Sequence, residues 1–272
     1  MTPQDMIRPM SRIDVSSLFS LEGKVALITG GSRGIGRMIA EGYVQAGAKV
    51  YISSRKKEAC EETAEELSKQ GVCVALPADV ATSEGRGLLV EEISRREGRL
   101  HILVNNAGAN WGAPYAEFPE KGFRKVLELN LTSVFFLTRD LTPLLEKAAS
   151  SEDPARVVNV GSMDGIHVPT IIPTGVFAYS SSKAGLHHLS KSLAVELGPR
   201  KITVNVIAPG YFESKMTAEV LVEHGDAIAG KCPLDRIGRP EEMAGVAIYL
   251  ASRAGAYTSG TVIPVDGGTC IN

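Results

Sequence analysis

The chain has 272 residues, 44% of them hydrophobic and 22% charged, with a formal net charge of −2. That composition fits one soluble domain with a sizeable core and gives no support to a nucleic-acid-binding surface. No stretch approaches the roughly 20 consecutive apolar residues that span a bilayer, which excludes a membrane-spanning protein at this level of reading.

Residues 1–20 are mixed in character, with Asp5, Arg8, Arg12 and Asp14 interrupting any apolar run. They do not read as a secretory signal, and the acidic residues argue against a mitochondrial presequence. The expectation is an extension, either flexible or packed on a neighbouring subunit, followed by one domain over residues 21–272. Cys60, Cys73, Cys232 and Cys270 are scattered without Cys-x-x-Cys or zinc spacing. They predict free thiols in a reducing compartment, hence a cytoplasmic protein, and no metal site.

From Gly23 onward, short apolar runs alternate with helical patterns. Val25–Thr29 predicts a buried strand, Gly34–Ala46 a helix, Val50–Ile52 a strand, Lys57–Lys69 a charged amphipathic helix and Val72–Leu76 a strand. Glu84–Glu97 predicts a helix and His101–Val104 a strand. Phe123–Leu145 reads as a long helix, or two, interrupted near Pro143, and Arg156–Val160 as a strand. Tyr179–Leu197, Ile202–Ile207, Glu241–Ala251 and Val262–Val265 continue as helix, strand, helix and strand. Apolar strands alternating with helices predict an α/β fold: a single doubly wound, Rossmann-type parallel sheet with helices on both faces.

Strand one runs into Thr29-Gly30-Gly31-Ser32-Arg33-Gly34-Ile35-Gly36. Glycines between a buried strand and a helix allow a tight turn, close backbone approach, and N–H groups aimed at a pyrophosphate. A plain structural turn is the bland alternative. Strand two ends in Ser53-Ser54-Arg55, without the carboxylate that would bond the ribose hydroxyls of NAD. Arg33 and Arg55 are suited to clasp a 2′-phosphate, and Ser54 leaves room for it, so NADP(H) is the expected cofactor. Tyr179 and Lys183 lie four residues apart, one helical turn, and share a face. A tyrosine beside a fixed cation has its phenolate stabilised and its pKa lowered, which suits acid–base work.

Taken in order, Thr29-Gly30-x-x-x-Gly34-x-Gly36, Asn105-Asn106-Ala107-Gly108, Ser162, Tyr179-x-x-x-Lys183, Pro209-Gly210 and Val265-Asp266-Gly267-Gly268 resemble the short-chain dehydrogenase/reductase family. The resemblance runs from Leu21 to the C-terminus. It is nearest to 3-oxoacyl-[acyl-carrier-protein] reductases, through Asn105-Asn106-Ala107-Gly108-x-x-Trp111-Gly112 and Ala208-Pro209-Gly210-x-Phe212 in particular to the branch associated with rhamnolipid synthesis. The resemblance implies that Tyr179 exchanges the proton with the substrate oxygen and that Ser162 polarises the carbonyl. Lys183 would steady the phenolate and hold the nicotinamide ribose, and Asn130 would anchor a water in the proton relay. It further implies a cofactor site built from Gly30, Ser32, Arg33, Gly34, Ile35 and Gly36, with Ser54 and Arg55. Asp79 and Val80 would meet the adenine, and Asn106, Ala107 and Gly108 the adenosine ribose. Tyr179, Lys183, Pro209, Gly210 and Ser214 would lie along the nicotinamide half. Ile207 is expected in the core.

The family pattern implies a 3-oxoacyl thioester substrate reduced by NADPH, with acyl-carrier protein as a possible carrier and a homotetramer as the assembly. Two rival readings stay open: oxidoreduction of a secondary alcohol, polyol or sugar acid of the gluconate type, and a nucleotide-binding regulatory protein without catalysis. Ser162 and Tyr179 stand 17 positions apart, a wider gap than the family pattern implies. The extra length, Ile166 to Gly175, is apolar with two prolines. It reads either as a wall for a hydrophobic substrate or as a loop packed on itself or a neighbour. Trp111 is expected to pack rather than to line the substrate. Residues 214–231 are helical in pattern, and the resemblance implies that they form a mobile lid over the substrate. Arg124, Lys125, Arg139 and Lys147 would suit an acidic carrier protein, though ordinary solvated charge explains them equally well.

Overall fold

The computed structural model describes residues 13–168, 175–214 and 217–271. Seven strands form one parallel sheet in the order β3-β2-β1-β4-β5-β6-β7. They are β1 Val25–Thr29, β2 Lys49–Ser53, β3 Val72–Ala75, β4 Ile102–Asn105, β5 Ala155–Val160, β6 Ile202–Pro209 and β7 Val262–Val265. Every residue of β1, β4, β5 and β6 is buried, as expected of a sheet covered on both faces. Strand order reverses between β1 and β4, and the crevice beyond the carboxyl ends of those strands is where such sheets bind ligands.

The helices are α1 Val15–Phe19, α2 Gly34–Gln45, α3 Lys57–Leu67, α4 Ser83–Glu97, α5 Glu120–Leu127, α6 Ser133–Ala148, α7 Phe177–Leu197, α8 Ala218–Lys231 and α9 Pro240–Ala251. One apolar layer joins the sheet to α2, α3 and α9 through Ile39, Tyr43, Leu67, Met243 and Leu250. The other joins it to α4, α6 and α7 through Leu89, Ile93, Leu137, Leu141 and Leu193. None of these helices is long and apolar enough to cross a membrane.

The predicted break in the long helix falls elsewhere. Pro143 lies inside α6, on its exposed side, where water can satisfy the carbonyl that loses its partner. The irregularity instead spans Glu128–Thr132, a widened π turn between α5 and α6. Strand β6 extends past Ile207 because Ala208 and Pro209 pair with Pro264 and Val265. Ile207 is fully buried in the core, as expected. Of the N-terminal extension, residues 1–12 lie outside the described residues. Residues 15–19 form α1, capped by Asp14, and pack on the turn Arg253–Gly255.

Candidate active site

The glycine loop sits at the strand-order reversal. Gly30 and Gly34 have φ of +66° and +52°, a region costly for residues with a Cβ. A Cβ on Gly36 would collide with the Asn106 amide and the Gly30 carbonyl, and one on Gly34 would stand 3.1 Å from Ser214 Cβ. Arg33 is the extended N-cap of α2 and supplies no side-chain cap, so the N–H groups of Gly34, Ile35 and Gly36 start the helix uncapped. Ile35 turns its side chain to the core. Asn106 braces the loop: its Nδ2 donates to the carbonyls of Thr29 (2.9 Å) and Gly30 (3.1 Å). The N–H groups of Asn106 and Ala107 both donate to Thr29 Oγ1 at 3.0 Å.

At the end of β2, Ser53 Oγ is buried with no hydrogen-bond partner. Ser54 is partly exposed and donates to the Lys56 carbonyl at 3.2 Å. Arg33 and Arg55 are exposed, and neither belongs to an ion pair among the described residues. Beyond β3, Asp79 accepts from the Ala81 N–H at 3.1 Å, and Val80 is buried. These residues fit a phosphorylated dinucleotide. The donor set is cationic and uncapped, an orphaned hydroxyl sits at the end of β2, and the glycine cradle has no room for a Cβ.

The reactive groups gather beyond β5. Ser162 follows this strand and caps the turn Met163–Gly165. Its Oγ accepts the Asp164 N–H at 3.1 Å, and its hydroxyl also bonds Tyr179. On α7, Lys183 is buried, its Nζ 2.8 Å from the Val160 carbonyl and 5.5 Å from the Tyr179 ring centroid. A Cβ on Gly108 would meet Asn130 Oδ1 at 3.3 Å and Lys183 Nζ at 3.7 Å, so Gly108 leaves the space in which they approach. Asn130, 1% exposed, receives the Ala109 N–H (2.9 Å) and donates to the Ala109 carbonyl (2.9 Å) and Ser182 Oγ (3.0 Å). Its amide is therefore a brace between the π turn, α7 and the loop after β4.

Electrostatics depart from the sequence expectation. Burial pushes the Tyr179 phenol up to about 12, against the Ser162 hydrogen bond, with Asp164 and Tyr211 pushing the same way as burial. Burial also pulls Lys183 down to about 8, with Asp164 opposing. The Lys183 amine lies 5.5 Å from the ring centroid and donates to the Val160 carbonyl, and desolvation outweighs the expected lowering.

Three residues of this cluster were not legible as part of it. His187 lies beneath the Ser162 turn: its Nε2 accepts the Ser162 N–H at 3.5 Å, and its ring also bonds Gly165. Burial pulls it down to about 4, so it is neutral at pH 7. Asp164, on the Ser162 turn, and Tyr211, just past the end of β6, both push the Tyr179 phenol up. Only the adjacency of Asp164 to Ser162 offered a signal; His187 needs the fold, because four residues past Lys183 it looks like any helix histidine.

Of the loop after Ser162, residues 169–174 lie outside the described residues. On its near side Ile166 and Val168 are exposed. On its far side Gly175 pairs with Ala113, and Phe177 meets Tyr115 and Phe118 edge-on at 5.8 Å each. Trp111 packs over Gly122 of α5, with Lys125 Nζ 5.9 Å from its ring, which bears out packing. Gly210 donates to the Val265 carbonyl at 2.9 Å and follows Pro209 at the sheet's carboxyl edge. Ser214 is tied to Thr217 (N–H to Oγ1, 3.0 Å), just before α8 begins at Ala218. Among the described residues no group of three His, Cys, Asp or Glu is placed to hold a metal ion.

A parallel sheet with this strand order, a glycine-rich first turn and a Ser162–Tyr179–Lys183 cluster defines a dinucleotide-dependent oxidoreductase. A family model described as enoyl-(acyl carrier protein) reductase matches residues 30–270, and the chain belongs to the short-chain dehydrogenase/reductase family. It is 50% identical over 252 residues to the rhamnolipids biosynthesis 3-oxoacyl-[acyl-carrier-protein] reductase of Pseudomonas aeruginosa, covering 92% of this chain and 97% of that one. The solved Pseudomonas aeruginosa RhlG/NADP active-site complex, also 50% identical, superposes with a TM-score of 0.90, covering 93% and 99% of the two chains. The 5-keto-D-gluconate 5-reductase of Escherichia coli is 36% identical over 263 residues, covering 94% and 99%.

Proposed function

We propose that this chain is an NADPH-dependent reductase that converts the ketone of a 3-oxoacyl thioester to a 3-hydroxyacyl product. The observation that carries the chemistry is the Ser162–Tyr179–Lys183 cluster beyond β5, reached from the same sheet edge as the glycine loop. The 50% identity to a 3-oxoacyl reductase supports the substrate class. Gly30, Ser32, Arg33, Gly34, Ile35 and Gly36 would hold the pyrophosphate. Arg33, Ser54 and Arg55 would hold the 2′-phosphate, and Asp79, Val80, Asn106, Ala107 and Gly108 would frame the adenosine. Pro209, Gly210 and Ser214 would flank the nicotinamide. When bound, the cofactor supplies the hydride.

The protein's part is to receive the charge that develops on the carbonyl oxygen. Ser162, whose Oγ accepts the Asp164 N–H, would turn its hydroxyl hydrogen from Tyr179 to that oxygen. Tyr179 delivers its proton to the oxygen as the C=O bond becomes a C–O bond, and Lys183 steadies the phenolate that remains. Asn130 fixes the loop after β4 against α7, so the distances among these groups are held by bonded backbone.

The exposed apolar side chains of Ile166, Val168, Tyr115 and Phe177 at the mouth suit an acyl chain. Arg124 and Arg139 are paired with Glu120 and Asp140, which leaves Lys125 and Lys147 as the cations of that region for an acidic carrier protein. An apolar groove of about 360 Å³ between Leu131, Phe135, Gly185 and Leu189 supports assembly into a homotetramer. The free thiols support a cytoplasmic location, and the continuous core from Leu21 supports one domain over 21–272. Reduction of a keto sugar acid is the second reading, supported by the 36% identical gluconate-type relative. NADPH oxidation with short and long 3-oxoacyl thioesters, a keto sugar acid and a simple ketone decides between them. Rising kcat/KM with acyl length supports the thioester; preference for the sugar acid overturns it.

A further inference from the structure

Arg86 is a buried cation that the chemistry above does not use. It lies on α4, 8% exposed, and its Nε has no hydrogen-bond partner. The ion pairs of α4 join Glu92 to Arg95 and Arg96, and among the described residues no carboxylate lies within ion-pair distance of Arg86. A charge taken out of water without a counter-charge is costly, so a position that only filled space would favour an apolar side chain. Its contacts are specific instead. Nη1 donates to the carbonyl of Val80, six residues back, at 2.9 Å, and Cζ lies 5.5 Å from the centroid of the Phe136 ring on α6. The ring backs the guanidinium where it reaches the turn that follows β3.

That turn is built around one peptide. The Asp79 carbonyl accepts the N–H (3.1 Å) and the hydroxyl (3.0 Å) of Thr82, which caps α4 through the Gly85 N–H at 3.0 Å. A Cβ on Gly85 would collide with the Asp79 carbonyl, so α4 lies hard against the turn. The Val80–Ala81 peptide is planar and is held at both ends. Arg86 bonds its oxygen, and Asp79 Oδ1 accepts its N–H at 3.1 Å. The guanidinium thereby fixes the plane that orients the Asp79 carboxylate, and Oδ2 is left for an adenine amine.

We propose that Arg86 is a positioning residue for the adenine end of the cofactor, holding the Val80–Ala81 peptide, and through it the Asp79 carboxylate, in the orientation that meets the base. This rests on the reading that Asp79 and Val80 frame the adenosine. Without the guanidinium the peptide is free to rotate, and the carboxylate turns with it. The loss falls on the adenosine half of the cofactor and not on the Ser162–Tyr179–Lys183 cluster, which lies beyond β5. Affinity should therefore fall about 10-fold, the scale of one charge-assisted hydrogen bond, while turnover at saturating cofactor holds.

The test compares wild type with Arg86→Met, which has no donor, Arg86→Gln, whose amide stops two bonds short of the Val80 carbonyl, and Arg86→Lys, which keeps a charged donor. Three quantities are read: NADPH dissociation by fluorescence titration, the inhibition constant of adenosine 2′,5′-bisphosphate, and kcat at saturating NADPH with the ketone turned over fastest. Binding constants do not depend on the fraction of active protein, and Met and Gln fail differently, so poor folding of one leaves the other to decide. A rise of about 10-fold in both constants for Met and Gln, with kcat kept and with Lys near wild type, supports the proposal. Constants unmoved, a fall in kcat as large as the rise in the constants, or Lys as weak as Met each overturns it. Asp79→Ala with an unchanged inhibition constant would instead overturn the adenine reading on which the proposal rests.

Discussion

Two histidines, His187 buried and His101 partly buried, make stability fall on mild acidification. His187 braces the Ser162 turn, and His101, next to β4, accepts the Val25 N–H through Nδ1 at 3.0 Å. Burial pulls each from its ordinary 6.5 to about 4, with neighbouring cations adding to the fall. Because the folded value is depressed, the neutral ring is what folding favours. Its contribution is fully present above the unfolded value of 6.5 and is lost as pH falls from there toward about 4. Between pH 7 and 5 the linkage amounts to about 2 kcal/mol for each histidine, so the pair takes about 4 kcal/mol from a domain whose total is of order 10 kcal/mol. His187→Gln removes one titrating ring. Urea unfolding followed by circular dichroism at pH 7, 6 and 5, at fixed protein concentration, measures the difference. The variant should start less stable at pH 7 but lose about 2 kcal/mol less than wild type on going to pH 5. Equal losses in the two proteins would refute the assignment of His187 as a buried neutral acceptor.

Three further outcomes follow from the same geometry. Arg33→Ala and Arg55→Ala should each weaken NADPH binding about 10- to 100-fold, the worth of a charge-assisted phosphate contact; in a fluorescence titration Arg55→Ala should leave NADH binding unchanged, while Arg33→Ala should weaken NADH less than NADPH. Asn130→Ala strands the N–H and carbonyl of Ala109 and takes one donor from Ser182 Oγ, which still bonds the Tyr179 carbonyl, and should cost about 2–4 kcal/mol in thermal or urea unfolding. Asn130→Asp, which keeps the acceptor but presents a carboxylate to the Ala109 carbonyl, should be no less damaging by the same measurement.

Periodicity made the frame legible. Buried strands with flanking helices need only apolar runs and turn residues, and the parallel order follows from their alternation. The glycine loop was legible because Gly30 and Gly34 adopt backbone angles, and Gly36 a closeness, that other residues resist. Tyr179 and Lys183 were legible because one helical turn separates them. What sequence could not show depends on contacts between distant segments. Pro143 looked like a break because its N–H is missing, yet solvent absorbs that loss; the true irregularity surrounds Asn130, whose amide is claimed by Ala109 across a loop. The balance of charge and burial at Tyr179 was misjudged for the same reason, since desolvation is a property of the packed site rather than of the tyrosine–lysine spacing. His187 and Asp164 carry no motif; their roles arise only when the Ser162 turn lies on α7.

The central claim is that Tyr179 donates the proton while the cofactor site stands independently of it. Tyr179→Phe keeps the ring and removes one oxygen, so it separates the two. NADPH binding by fluorescence titration and NADPH oxidation with a long-chain 3-oxoacyl thioester should be measured on the same preparation. The account predicts NADPH affinity within a few-fold of wild type and a kcat reduced by about 10²- to 10⁴-fold, the usual contribution of a positioned general acid. Retention of wild-type kcat in Tyr179→Phe would contradict it.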